Sequence, residues 1–443
     1  MKHMPGNFAK HSLVSIFLFF SFVSPALSFS DNAAEELLEL EDCITIALAG
    51  NPNLAMSRFE LAQQKAAGRS IHKDLFPTLS AQYGYTHQPD ALLLPTDQFG
   101  YGFIAEQPLY RGKSLITAVK QAELSVETAK LGMEETINNL VYEVHVRYFA
   151  LLRAEKLTDE AGQALLRLQS HVKDAKAFYD AGLIPKNDML QSEVERAQGE
   201  QDLVDAEYAL FMARSQLNVL LRRPAGAPLG IADRTKIVPL QTKWEDIVDS
   251  VRSNRAEIAR SDREVQFAKN DIILKKAPYL PSISLAASYE RIGDEFTGAP
   301  YQNGPNEVKT IKAVASWRLW SWMKERDDVL AAEMRLKKVE KNVEKIVDEV
   351  TIDARNSFLH LEQAAKRITV AEKAIEHARE NYRINQAQYQ AQLATSTDVL
   401  DAQTMLTQAM TNYYDALYGY QLAVAAVEKA KGDFGKLYTA KDE

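Results

Sequence analysis

The side chains able to carry catalysis are few and scattered. Cys43 is the only cysteine, so the chain holds no internal disulfide framework and no multi-cysteine zinc or iron–sulfur site. Beyond residue 28 the histidines are His72, His87, His145, His171, His360 and His377. None stands three or four positions from another, so no helix offers a paired metal site. No phosphate-cradling glycine loop, nucleophile elbow or His-Glu zinc motif is present. The sequence therefore predicts no catalytic residue, no metal and no cofactor, and hence no enzyme. The mixed charges from Lys337 to Glu349 read as a solvated helix face, and Tyr148, Phe149 and Phe358 as helix packing. Asp398 stands where a helix begins, and a carboxylate there is favourable as a cap. With 52 basic against 60 acidic residues and a net charge of −8, no basic face exists to displace counterions from a nucleic acid.

The elements carrying these residues are long. Of 443 residues only 19 are Gly and 15 Pro, which is sparse punctuation, while 46% hydrophobic content suffices for a sizeable core. Lys2 and Lys10 precede an apolar run from Leu13 to Val23, and Ala26-Leu27-Ser28 supplies small residues for cleavage. Residues 1–28 thus read as a secretory signal, too short for a membrane span. Cys43 lies well downstream of that site, so no lipid anchor is expected. The remainder has no run of eighteen apolar residues, so any membrane insertion must use strands.

The chain is written twice. Leu40-Glu41-Asp42 returns as Trp244-Glu245-Asp246, and Pro77-Thr78-Leu79-Ser80 as Pro281-Ser282-Ile283-Ser284, both at an offset of 204. After an insertion the offset becomes 210, pairing Leu109 with Leu319, Tyr179 with Tyr389, Leu183 with Leu393 and Asp188 with Asp398. The predicted organisation is a first repeat over 29–233, with strands about 78–109 and helices about 114–221. A second repeat covers 234–443, with strands about 282–319 and helices about 324–431. Each repeat opens with a helix, Glu41 to Leu75 and Glu245 to Ala277. Each then carries two short alternating segments, a proline-free helix of about 66 residues, roughly 100 Å long, and a helix of about 35 residues. Two shorter helices stacked end to end match one long helix. Small residues such as Ala118, Ala122, Ala364 and Ala371 permit close helix contact, as in a plain coiled coil.

The strand segments argue for more than a coiled coil. Leu79, Ala81, Tyr83 and Tyr85 alternate with Ser80, Gln82, Gly84 and Thr86; Phe99, Tyr101 and Phe103 alternate with glycines. In the second repeat Ile283, Leu285, Ala287 and Tyr289 alternate with Ser284 and Ser288, and Ile311, Ala313, Ala315, Trp317 and Leu319 are set against Thr310, Lys312, Ser316 and Arg318. This period of two suits transmembrane strands with lipid on one face and a lumen on the other. Trp317, Trp320 and Trp322 cluster beyond the last segment, as an aromatic girdle at a membrane interface would. Four strands cannot close a barrel, and an open edge in lipid leaves backbone groups unsatisfied. The chain must pool strands with copies of itself, as a dimer with eight or a trimer with twelve; the larger barrel suits a conduit.

The order of these motifs resembles that of the TolC-like outer-membrane efflux protein family (outer membrane factors), across almost the whole length after the signal. The resemblance rests on Leu40-Glu41-Asp42-Cys43-Ile44 through Asn51-Pro52, Leu75-Phe76-Pro77-Thr78-Leu79 and Gln107-Pro108-Leu109-Tyr110-Arg111-Gly112. It continues in Tyr179-Asp180-Ala181-Gly182-Leu183 with Asp188-Met189-Leu190, and in Tyr389-Gln390-Ala391-Gln392-Leu393 with Asp398-Val399-Leu400-Asp401-Ala402. It implies a mixed α and transmembrane β fold: a homotrimer whose chains share a twelve-stranded β-barrel in the outer membrane of a Gram-negative bacterium, above a periplasmic α-helical tunnel. It implies a passive exit duct of a tripartite efflux pump or type I secretion system. Its partners would be a periplasmic adaptor (membrane fusion protein), an inner-membrane RND, ABC or MFS transporter, and outer-membrane lipid. Asp398 and Asp401 match aspartates that ring the tunnel constriction; Gly182, Leu183, Pro185, Leu393 and Ala394 match helix-turn tips that meet the adaptor. Two departures stand out: Ala394 replaces an arginine that helps lock the entrance in some relatives, and Gln392 replaces the turn glycine. The competing reading is a soluble periplasmic coiled-coil protein, adaptor-like and without a barrel.

Overall fold

A computed structural model describes residues 37–89, 97–233, 243–293, 295–296 and 307–439. The proposed signal lies outside them. The elements are α1 (Leu40–Gly50), α2 (Pro52–Lys73), β1 (Thr78–His87), β2 (Asp97–Arg111), α3 (Ser114–Asp180) and α4 (Lys186–Leu220). After these come α5 (Trp244–Asn254), α6 (Ala256–Lys276), β3 (Ser282–Gly293), β4 (Glu307–Ser316), α7 (Lys324–Gln390), α8 (Ser396–Lys431) and the short α9 (Lys436–Thr439). The starts of α1, α2 and β1 recur 204 residues later, and those of β2, α3 and α4 recur 210 residues later. Both long helices have 67 residues, about 100 Å at 1.5 Å per residue.

One expectation is corrected. The opening helix of each repeat is two helices. Pro52 cannot donate to the preceding turn, and it sits at the first helical position, where no donor is needed. Asn51 turns out of the helix and its side chain accepts from the amides of Asn53 (2.8 Å) and Leu54 (3.3 Å). Arg255 makes the same break in the second repeat without a proline; buried, it pairs with Glu257 at 3.0 Å and Asp353 at 3.2 Å.

The core is duplicated too. Cys43, Ala47, Leu140, Val144, Leu151 and Leu217 are buried in the first repeat; Ile247, Val251, Val350, Ala354, Leu361 and Val427 occupy the matching positions of the second. Burial pushes the Cys43 thiol up to about 12, so it packs as a small apolar side chain and is not a reactive thiolate. Along the long helices, α3 packs against α2, α4, α6 and α8, and α7 packs against α6 and α8.

The four strands form one antiparallel sheet in the order β1-β2-β3-β4. Its register pairs Tyr83 with Tyr101, Phe103 with Tyr289 and Ala287 with Ile311. Because directly opposed residues share a face, the register places every alternating apolar residue of the four strands on one side. β4 ends at Ser316, so Trp317 and Leu319 lie past the strand.

Candidate functional site: the helical tips and the apolar sheet

At one end of the long helices the chain reverses twice. Each helix ends in the same hydrogen-bonded stop: Gly182 N–H donates to Tyr179 O (2.8 Å) and Leu183 N–H to Phe178 O (2.8 Å), matched by Gln392 to Tyr389 (2.9 Å) and Leu393 to Gln388 (2.8 Å). The stop needs a left-handed residue. Gly182 supplies it at φ 75°, and Gln392 adopts it at φ 59° despite its side chain. The turn geometry is therefore kept where the glycine is lost. Leu183 and Leu393 project from these turns, 54% and 80% exposed; Gly182 and Pro185 are exposed and Ala394 half-buried.

Asp398 forms a capping box with Thr395. Its Oδ2 accepts from Thr395 N–H (2.8 Å) and Oγ1–H (2.7 Å), and Thr395 Oγ1 accepts the Asp398 amide (3.3 Å). The Thr395 hydroxyl and then its amide hold the carboxyl below the usual carboxylate range, so it stays charged. Asp401 follows one turn later on the same exposed face. The two are neighbours on α8, and the chain places one capped and one exposed carboxylate beside the turn.

Sequence reasoning missed the group that binds these tips together. His171 of α3, Ser192 of α4, Tyr389 of α7 and Ser396 of α8 are all buried. His171 Nε2 lies 2.8 Å from Ser396 Oγ, which is 3.1 Å from Ser192 Oγ. The Tyr389 ring sits 4.8 Å from the imidazole. Burial lowers the imidazole's affinity for a proton, opposed by Asp174. The histidine is isolated in sequence; only the copy alignment, which brings four helix ends together, could have pointed to it. Among the described residues no His/Cys/Asp/Glu group is arranged to hold a metal.

The sheet leaves its apolar face uncovered: Leu79 is 76% exposed and Ile311 81%. The edge strands β1 and β4 are exposed along nearly their whole length, while along β3 the apolar residues Ile283, Leu285 and Ala287 are exposed between half-buried neighbours. A contiguous uncovered apolar face belongs against lipid or a partner. Trp317, Trp320 and Trp322 stand at its margin. The indole of Trp317 donates to Tyr279 O (3.1 Å), and Trp320 and Trp322 meet edge to face at 6.2 Å. No helix among the described residues is long and apolar enough to cross a membrane.

Over residues 43–221 and 247–433 the sequence matches the outer membrane efflux protein family. The chain belongs to that family. The two matched segments fall one in each repeat. The chain is 22% identical over 418 residues to the outer membrane protein TolC of Vibrio cholerae, covering 93% of this chain and 94% of the relative. Among solved structures it is similar to CusC, with TM-score 0.79, 16% identity and 91% and 95% coverage. It is also similar to VceC of Vibrio cholerae, with TM-score 0.78, 17% identity and 89% and 96% coverage. An open-state structure of the MtrE outer membrane channel of Neisseria gonorrhoeae is similar at TM-score 0.76 and 19% identity, with 89% and 88% coverage. Efflux proteins of this family are channels in the outer membrane, and this chain is one: its sheet is built for the bilayer and its long helices for the periplasm. The soluble adaptor-like reading is overturned by the family match and by the open apolar face.

Proposed function

We propose that three copies assemble into a passive exit duct. The observation that carries this is the four-stranded sheet itself, with one uncovered apolar face and, among the described residues, with β1 and β4 each paired on one side only. In lipid those edges must be paired, and three copies give a twelve-stranded barrel wide enough for an aqueous lumen. The helical tips then point away from the barrel into the periplasm, where Gly182, Leu183, Pro185, Leu393 and Ala394 meet an adaptor fed by an RND, ABC or MFS transporter. Residues 1–28 direct export and are removed; 29–233 and 234–443 act as two half-units of the wall.

Asp398 and Asp401 of three chains form a carboxylate ring at the periplasmic constriction. Focused negative potential there favours cations and repels anions. The Thr395 capping box holds Asp398 charged and in place, so its cap and ring roles coexist. Replacing both by Asn is expected to weaken multivalent-cation block of single-channel current by roughly tenfold, with the trimer intact. The primary test is fractionation of cells expressing the tagged protein, with outer-membrane extracts run in mild detergent before and after boiling. Outer-membrane recovery at three times the monomer mass supports the shared barrel; a soluble monomer or dimer sinks it.

A further inference from the structure

The duplication leaves three faces without the partner that their copies have. Among the described residues β2 pairs with both β1 and β3, but its copy β4 pairs only with β3; β3 pairs with β2 and β4, but its copy β1 pairs only with β2. Helix α3 packs on α6 and α8 as well as on α2 and α4. Its copy α7 has no comparable packing on α2 or α4 among the described residues. We propose that these faces meet head to tail between copies, and that the in-chain seam dictates the pairing residue by residue. In that pairing β4 lies on the neighbour's β1 with Ala313 opposite Tyr85, Ala315 opposite Tyr83 and Trp317 opposite Ala81. Helix α7 lies along the neighbour's α2 and α4, with His377 beside Glu193. The inference rests on the trimer reading above and adds its register and contacts.

The strand register follows from the β2–β3 pairs Phe103–Tyr289, Ala105–Ala287 and Gln107–Leu285. Their copies are the three pairs just named. Each keeps the apolar residues on the open face, whereas a slip of one residue would set them against Ser80, Gln82 and Gly84 on the other. The same logic explains why β2 has 15 residues and β4 only 10. The last five residues of β2, Gln107 to Arg111, lie beyond β1, and β3 pairs four of them, passing Leu109 at a bulge. Their copies, Trp317 to Ser321, await a strand that the described residues do not contain.

The helical seam is a copy with its chemistry changed. Inside the chain it is bridged by Arg260 to Glu135 (2.8 Å), Arg263 to Glu127 (2.5 Å) and Arg167 Nε to Gln403 Oε1 (2.8 Å). The copies of these pairs are Met56 with Lys345, Phe59 with Lys337, and His377 with Glu193. Met56 and Phe59 are 67% and 73% exposed in the single chain; in the seam they cover the apolar stems of the two lysines. Histidine Nε2 and arginine Nε lie the same number of bonds from Cα, so His377 reaches Glu193 as Arg167 reaches Gln403. One position cannot be copied. A Cβ at Gly112 would run into the Ala277 carbonyl, yet its counterpart is Trp322. The neighbour's Lys73, which matches Ala277, must stand further off, and the Trp322 ring occupies that gap.

The test uses full-length protein in outer membranes carrying Ala315→Cys with Tyr83→Cys, treated with a short thiol crosslinker and run boiled. The control pairs Ala315→Cys with Leu79→Cys, on the same face four residues along. Fully buried Cys43 does not compete. Covalent dimers and trimers at least fivefold more abundant for the Tyr83 pair than for the Leu79 pair are expected. A native trimer that crosslinks equally or better at Leu79 overturns the register while leaving the trimer standing; no native trimer sinks the trimer reading. For the helices, Glu193→Arg should lower detergent-resistant trimer at least twofold, and adding His377→Glu should restore it. Failure of either step in a trimer crosslinked at Tyr83 overturns the helix pairing.

Discussion

At the residue scale the duplication exposes what each backbone position demands. The described residues with left-handed φ form four pairs related by 210 positions: Gly112 and Trp322, Lys113 and Met323, Gly182 and Gln392, Arg222 and Gly432. Three pairs have glycine in one copy and a full side chain in the other, so conformation outlasts the residue best suited to it. A side chain in this region costs about 1 kcal/mol relative to glycine. Gln392→Gly is therefore expected to slow amide exchange at Leu393 about fivefold, and Gly182→Gln to speed exchange at Leu183 by as much. His171 gives a pH prediction. Its folded-state proton affinity is lowered by burial, so the unfolded chain takes up the proton first as pH falls below about 6.5. Stability is full above that value and is lost below it. The groups facing the ring are Asp174 on its own helix, Tyr389 of α7 and Ser396 of α8, while Asp188 of α4 acts on Tyr389. Thermal unfolding followed from pH 7.5 to 5 should show a steeper loss in wild type than in His171→Gln.

At the element scale the helices were legible and their breaks less so. The lengths of α3 and α7 could be read from the lack of proline and the repeat spacing, since helix interiors exclude proline for a local steric reason. The split of the first helix was also written in Asn51-Pro52, a cap followed by a first-turn proline, but its counterpart Arg255 carries no local signal. That break is held by burial against Asp353 of a distant helix, which periodicity cannot report. Asp398 was legible as a cap because capping is local; the His171 cluster was not, because its four members come from four helices. Thr395→Ala removes the local partner at the start of α8. It should destabilise that helix by about 1 kcal/mol, seen as faster exchange in its first turn, and should let Asp398 titrate closer to an ordinary carboxylate. Asn51→Ala should cost a similar amount at α2, with no effect on the tips.

At the scale of the whole molecule, the sheet decides whether the chain is a channel wall, because each of its two faces must meet a different solvent. Ile311 lies on the open apolar face and Thr310 on the other, adjacent in sequence and opposite in direction. Arginine at Ile311 puts a charge toward hydrocarbon at a cost of about 2–4 kcal/mol near the midplane, repeated in each of three copies. Arginine at Thr310 meets water in the lumen. Outer-membrane trimer should fall several-fold for Ile311→Arg and stay near wild type for Thr310→Arg, whose single-channel current should shift toward anions. If the faces were reversed the two variants would exchange behaviour, and in a soluble sheet neither would change membrane recovery. The contrast therefore tests the orientation of the wall directly, with each variant serving as the folding control for the other.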